Sequence, residues 1–223
     1  MTAIAQRLAN IRATLPSHGT ELVAVSKYHP AEAIFKAYAA GQRIFGESRV
    51  QELQAKKASL PADIKWHFIG HLQPNKVKYI APYISLIHAV DTSRLLNEIN
   101  RQALRFGRRI EVLLQLHVAT EATKFGMTFD ECRALLNAGE WCSMQGVQIA
   151  GLMCMASHTD NKSQIQAEFR SVRDFFDEIK ARHFADCPAF RHRSYGMSED
   201  YLTAIDEGST LVRIGSAIFG DYS

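Results

Sequence analysis

Glu21-Leu22-Val23-Ala24-Val25-Ser26-Lys27 is followed at once by Tyr28-His29-Pro30. A short apolar run containing β-branched residues reads as a buried strand, and the proline beyond it stops that strand and opens a helix. The pattern recurs outward from this point. Strands are expected at 21–27, 43–46, 66–70, 85–90, 110–118, 147–155, 189–195 and 211–215. Between them, helical periodicity marks about 31–40, 48–58, 74–82, 92–106, 128–138, 162–183 and 198–206. Several helix starts carry their own signals: Asp91-Thr92-Ser93, Thr128 with Glu131 in capping-box position, and Ser198-Glu199-Asp200. Roughly eight βα alternations argue for parallel units on one core. In 223 residues this means a compact α/β protein, a single (β/α)8 TIM barrel spanning 1–223 as one domain. A doubly wound open sheet is weakened by the lack of a GxGxxG after the first strand.

Composition narrows the class. The chain is 47% hydrophobic and 22% charged, ordinary globular values. No apolar stretch approaches a membrane span, and Met1 to Pro16 reads as an amphipathic helix with Arg7 and Arg12 rather than a signal peptide. A soluble, cytoplasmic protein is expected. Cys132, Cys142, Cys154 and Cys187 form no CxxC pair and no zinc spacing, so they are read as reduced thiols. The net charge of +3 is dispersed, without the interleaved basic and aromatic residues of single-strand binders, and nucleic acid is not an expected partner.

Lys27 places an amine at the C-terminal tip of the first strand. Burial disfavours the charged form of a lysine, and a free amine near neutral pH forms Schiff bases. The alternative is a lysine snorkelling out of a strand end. Barrels carry their chemistry on the C-terminal rim, so the other strand ends bear on the choice. They run into Gly46-Glu47-Ser48, Gly70-His71, His117, and Met153 with Met155. After strand seven, Ser194-Tyr195-Gly196-Met197-Ser198 sets a hydroxyl and a glycine before a helix start, where backbone N–H groups can approach an anion. A plain capped turn is the alternative. In strand eight, alternation puts Leu211, Arg213 and Gly215 on one face and Val212 and Ile214 on the other, so Arg213 points into the barrel. A buried guanidinium needs an acceptor, either a core carboxylate such as Glu47 or Asp91 or a ligand atom. Loops after strands seven and eight are where barrels often hold phosphate.

Pyridoxal 5′-phosphate answers all three features. It brings an aldehyde for Lys27, a phosphate for the backbones of Ser194, Gly196, Gly215 and Ser216, and a pyridine nitrogen for Arg213. An arginine there keeps the nitrogen unprotonated and the ring a poorer electron sink.

The chain also resembles the pyridoxal phosphate homeostasis proteins of the YggS/PROSC type. The matching blocks are Ala24-Val25-Ser26-Lys27, Phe45-Gly46-Glu47, Val50-Gln51-Glu52, Trp66-His67-Phe68-Ile69-Gly70, Leu72-Gln73, Asn75-Lys76, Gly151-Leu152-Met153, Gly196-Met197-Ser198 and Gly208-Ser209-Thr210-Leu211-Val212-Arg213-Ile214-Gly215. The resemblance implies a fold type III barrel like the N-terminal domain of alanine racemase, with pyridoxal phosphate on Lys27 and no robust turnover. It implies Ser194, Gly215 and Ser216 as phosphate contacts and Arg213 opposite the pyridine nitrogen. The role implied is supply or buffering of the cofactor and amino-acid and keto-acid balance, with pyridoxal-dependent apo-enzymes as recipients and a monomer as the working state. Three departures are visible: Ser48-Arg49 replaces the family's usual Asn-Tyr, with Arg49 expected to face solvent; Ala156 lies near the place of a usual proline; and Tyr195 stands where methionine is common.

Two further functions compete with this one. An amino-acid racemase of this fold type needs a second base from an additional domain or subunit, and the chain ends at Ser223 soon after its eighth strand. A cofactor-free Schiff-base aldolase would need a proton-shuttling acid beside Lys27. His67 and His71 have no third ligand spaced to join them, so a metal is not expected. Glu121 and Lys124 are read either as a screen for substrate amino acids or as a solvated pair. Val172, Phe175, Phe176 and Ile179 are read as the apolar face of a long helix.

Overall fold

A computed structural model describes residues 2–16, 19–121 and 123–220; Met1 and Ser223 lie outside them. Eight parallel strands close into a barrel in sequence order. They are β1 (Glu21–Val25), β2 (Ile44–Glu47), β3 (Lys65–Phe68), β4 (Leu86–Val90), β5 (Ile110–Gln115), β6 (Val147–Met153), β7 (His192–Ser194) and β8 (Leu211–Ile214). Around them lie α1 (Ala3–Thr14), α2 (Ala31–Ala39), α3 (Val50–Ser59), α4 (Val77–Ile80), α5 (Ser93–Arg105), α6 (Phe129–Ala138), α7 (Lys162–His183), α8 (Tyr201–Asp206) and α9 (Ser216–Phe219). Among the described residues no helix is long and apolar enough to cross a membrane.

Strand alternation sorts side chains into two cores. Val23, Leu86, Ala89, Leu113, Ala150, Met153 and Leu211 fill the barrel, while Val212, Ile214 and the apolar faces of the helices form the jacket. On α7 the buried set is Ile165, Phe169, Val172, Phe175, Phe176 and Ile179, so that helix packs as its periodicity predicts. Each such side chain contributes about 1.5–3 kcal/mol when fully buried. The capping box of Thr128 with Glu131 forms, and Thr92 caps α5 through Leu95 N.

β1 and β6 each end two residues short of the expected 27 and 155, and four further boundaries differ for a local reason. β5 stops at Gln115 because His117 N turns to Met127 O, so the loop pairs with its own return segment. β7 is confined to His192–Ser194, since Phe190 N is already spent on a turn to Cys187 O. The helix expected over 74–82 opens as a 3-10 turn at Pro74–Lys76 before α4. The helix expected from Ser198 begins only at Tyr201, because the Asp200 carboxylate accepts from Met197 N at 2.5 Å and holds 197–200 as a turn. The short α9 has no signal in the sequence pattern.

Candidate binding site at the barrel mouth

Lys27 lies half-buried in the turn just beyond β1. Ser26 N still donates to Gly46 O at 3.0 Å, so the lysine is the first residue past the ladder. The peptide groups on either side of it are held from α3. Lys56 Nζ donates to Ser26 O at 2.7 Å, and Tyr28 N donates to Glu52 Oε1 at 2.5 Å. The same ammonium donates to Glu47 Oε1 and Glu52 Oε1, each at 2.7 Å, which uses all three of its donors. Glu47 is fully buried, takes a 2.6 Å bond from Ser26 Oγ, and has its pKa pushed up by burial against the pull of Lys56. This clamp explains how Tyr28 is kept at φ 67°, a left-handed conformation that costs a residue with a side chain roughly 1–2 kcal/mol.

Arg213 points inward from β8 and is 4% exposed. Its acceptor is neither Glu47, which pairs with Lys56, nor Asp91, whose carboxylate lies 3.7 Å from His71. The core ion pair weighed for it is therefore corrected. Nη1 donates to Ser194 O at 2.8 Å and Ser194 Oγ at 2.7 Å, and Nη2 donates to Cys154 O at 2.9 Å. Burial lowers its pKa from the ordinary value, yet a guanidinium stays protonated at any physiological pH. Three of its five N–H groups thus meet neutral protein acceptors, and the other two meet none among the described residues.

The loops after β7 and β8 lie beside this arginine. Arg213 N donates to Gly196 O at 2.9 Å, and Gly215 N donates to Ser198 Oγ at 3.4 Å. Gly196 has φ 95°, and a Cβ there would fall 2.6 Å from that of Ala204. At Gly215 a Cβ would stand 3.1 Å from Val25 O, so glycine lets this loop close over the tip of β1. Ser216 opens α9, whose Phe219 stacks on His29 at 5.0 Å between ring centroids. Lys27, Gly196, Arg213, Gly215 and Ser216 therefore converge on the β7-β8-β1 sector of the rim. Ser194 sits beneath them: it is fully buried, and its hydroxyl is engaged by Arg213 and, at 2.9 Å, by His88 Nδ1.

Sequence reasoning missed Lys56, Glu52, Ser198 and His88 as parts of this assembly. Ser198 had a signal in Gly196-Met197-Ser198, and His88 one in its shared face with Leu86; Lys56 had none, being one of two adjacent lysines on an ordinary helix. Elsewhere on the rim, Glu121 and Lys124 pair with each other at 2.9 Å and fasten their loop to Ala156 O and His158 N. Arg49 is exposed over the Tyr28 ring at 4.8 Å, and Tyr195 faces the jacket, donating to Glu207 O at 2.7 Å.

The chain is similar to several known proteins. The family profile "Alanine racemase, N-terminal domain" matches residues 1–223. The chain is 36% identical over 202 residues to the pyridoxal phosphate homeostasis protein of Aquifex aeolicus, covering 90% of this chain and 86% of that protein. PipY of Synechococcus elongatus, solved without pyridoxal phosphate, superposes with a TM-score of 0.90 at 40% identity, covering 97% of this chain and 100% of that one. The same protein solved with the cofactor bound gives a TM-score of 0.87 over the same shares of each chain.

Proposed function

This chain belongs to the pyridoxal phosphate homeostasis protein family, and we propose that it binds pyridoxal 5′-phosphate at the β7-β8-β1 sector of its rim and serves as a carrier or buffer of that cofactor. The observation that carries the reading is Arg213: a buried cation with no carboxylate within hydrogen-bond or ion-pair distance among the described residues, and two N–H groups left over. Such a group suits a ligand that presents a neutral acceptor to it and an anion close by.

Bound pyridoxal phosphate supplies an aldehyde that condenses with a primary amine and a pyridine ring that withdraws electrons. Lys27 presents the amine, held at a defined place by the clamp on its flanking peptides. Arg213 would hold the ring nitrogen as a donor and keep it unprotonated, so the ring would be a weak electron sink suited to retention rather than turnover. Gly196, Ser198, Gly215 and Ser216 frame the phosphate with backbone N–H groups and hydroxyls. Ser194 acts through Arg213 rather than on the phosphate. The protein works as a cytoplasmic monomer that hands the cofactor to pyridoxal-dependent apo-enzymes.

The test is the absorbance spectrum of the purified protein, before and after borohydride, with peptide mass mapping of the reduced sample. The reading expects a visible band that collapses and a phosphopyridoxyl mass on the Lys27 peptide. A protein that stays colourless and unmodified after incubation with pyridoxal phosphate would overturn it.

A further inference from the structure

Ser194 Oγ, His88 and His67 form a chain of hydrogen bonds across the inside of the barrel, from β8 through β7 and β4 to β3. The links are Arg213 Nη1 to Ser194 Oγ at 2.7 Å, Ser194 Oγ to His88 Nδ1 at 2.9 Å, and His88 Nε2 to His67 Nδ1 at 3.0 Å. Ser194 and His88 are fully buried, and His67 is 6% exposed. The direction of the chain follows from its ends. A guanidinium only donates, so Ser194 accepts from Arg213. The single hydroxyl proton of Ser194 then has one acceptor in reach, His88 Nδ1, and a buried hydroxyl proton without an acceptor is costly. His88 is thereby the Nε2–H tautomer, and its proton goes to His67 Nδ1, which makes His67 the Nε2–H tautomer as well.

Both rings are held neutral, mainly by burial, which takes His67 down to about 3 and His88 well below its ordinary value. A charged His88 would lose its acceptor nitrogen and set a second cation beside the guanidinium.

We propose that His88 and His67 are positioning residues for Arg213: through Ser194 they fix the guanidinium by a one-way run of neutral acceptors and put no carboxylate in direct contact with it, so that its free N–H groups are left to the ligand. The inference rests on the reading of Arg213 as the group facing the cofactor ring. A carboxylate in place of Ser194 would hold the arginine equally still but neutralise it; a serine backed by two neutral imidazoles does not.

The experiment has two arms. In the unsubstituted protein, the nitrogen-15 shifts of the histidine rings report tautomers with or without cofactor, and His88 and His67 are expected as neutral Nε2–H between pH 6 and pH 8. An Nδ1–H or doubly protonated His88 overturns the proposal. In the second arm, release of pyridoxal phosphate after rapid dilution is compared in the parent, His88→Leu and His88→Gln. Leucine strands the Ser194 proton, and release about tenfold faster is expected, the loss of about one buried hydrogen bond. Glutamine carries both an acceptor and a donor, and release within about twofold of the parent is expected. Equal release from parent and His88→Leu overturns the proposal. A parent that binds no pyridoxal phosphate sinks the functional reading instead, and the tautomers still decide the relay.

Discussion

The ammonium of Lys56 donates to the carbonyl of Ser26 at 2.7 Å, one residue before Lys27. A helix residue thus sets the direction in which the chain leaves β1, and the lysine proposed to hold the cofactor inherits that direction. Two amines lie near one strand tip, but only one is offered to a ligand, because all three donors of Lys56 are spent on Ser26, Glu47 and Glu52. The division of labour comes from hydrogen-bond saturation, not from sequence position.

Removing the clamp should cost stability. Lys56→Met leaves Glu47 fully buried without its cationic partner, and breaking a buried pair in this way typically costs about 3–5 kcal/mol. Urea denaturation reads this as a lowered midpoint at unchanged slope. Glu47→Gln with Lys56→Met together should recover much of the loss, since the uncompensated charge is then gone. A midpoint in the single variant equal to that of the parent would show that the pair carries no such weight.

Lys27→Ala tests the opposite property, function without stability. The side chain is half-buried and contributes no core packing, so stability should change by no more than about 0.5 kcal/mol. The visible absorbance of bound pyridoxal phosphate and its borohydride-fixed mass should both vanish. Retention of the band in this variant would move the attachment to another amine.

Arg213→Gln shortens the side chain and removes the charge while keeping a donor. The Ser194 hydroxyl loses its charged donor, and the ring loses the cation facing it. Charge-assisted bonds contribute about 1.5–3 kcal/mol, so cofactor affinity measured by equilibrium dialysis should weaken by about tenfold to a hundredfold. Arg213→Lys should not restore it, because a single ammonium cannot bond Ser194 O, Ser194 Oγ and Cys154 O in the geometry of the fork and still reach a ligand.

Much of this was legible in the chain itself, and the division is physical. Period-two alternation identified Arg213 as inward, because Leu211 and Val212 have no other way to reach two different cores. The proline at 30 marked the end of β1, and the glycines at 196 and 215 marked loops that approach other backbone closely. What alternation cannot show is which neighbours meet across the barrel. Ser194 read as a phosphate contact because it stands before a glycine loop, whereas the closed sheet turns its hydroxyl inward to Arg213 and His88. The charge of Arg213 points to a carboxylate or a ligand atom as its acceptor, yet two of its three protein acceptors are backbone carbonyls, which no sequence advertises.

Gly196→Ala should be one of the more damaging small substitutions. The residue holds φ 95°, and the added methyl would fall 2.6 Å from the Cβ of Ala204, so strain and overlap act together at about 1–3 kcal/mol. Thermal unfolding should drop by several degrees, and phosphate affinity should fall with it because Gly196 O fixes Arg213 N. Stability equal to the parent would mean that the loop has room to move that its packing does not display.

The buried histidines predict a distinctive acid response. Burial lowers His67 to about 3, His192 to about 4 and His88 well below 6.5, so all three are neutral in the fold at neutral pH. As pH falls below about 6.5 the unfolded chain takes up protons that the folded chain refuses, and stability declines until the folded values are reached. The slope is on the order of 1.4 kcal/mol per histidine per pH unit. Glu47 and Asp200, whose carboxyl groups burial holds above their ordinary range, act in the opposite sense because the fold binds their protons first. The net curve therefore mixes both, and the informative quantity is a difference between proteins. His88→Gln cannot titrate, so between pH 6 and pH 5 its urea midpoint should fall less steeply than that of the parent, by an amount equivalent to about one histidine's share. Parallel curves for the two proteins would mean that His88 takes its proton in the fold as readily as in the unfolded chain, and the neutral relay behind Arg213 would fail with it.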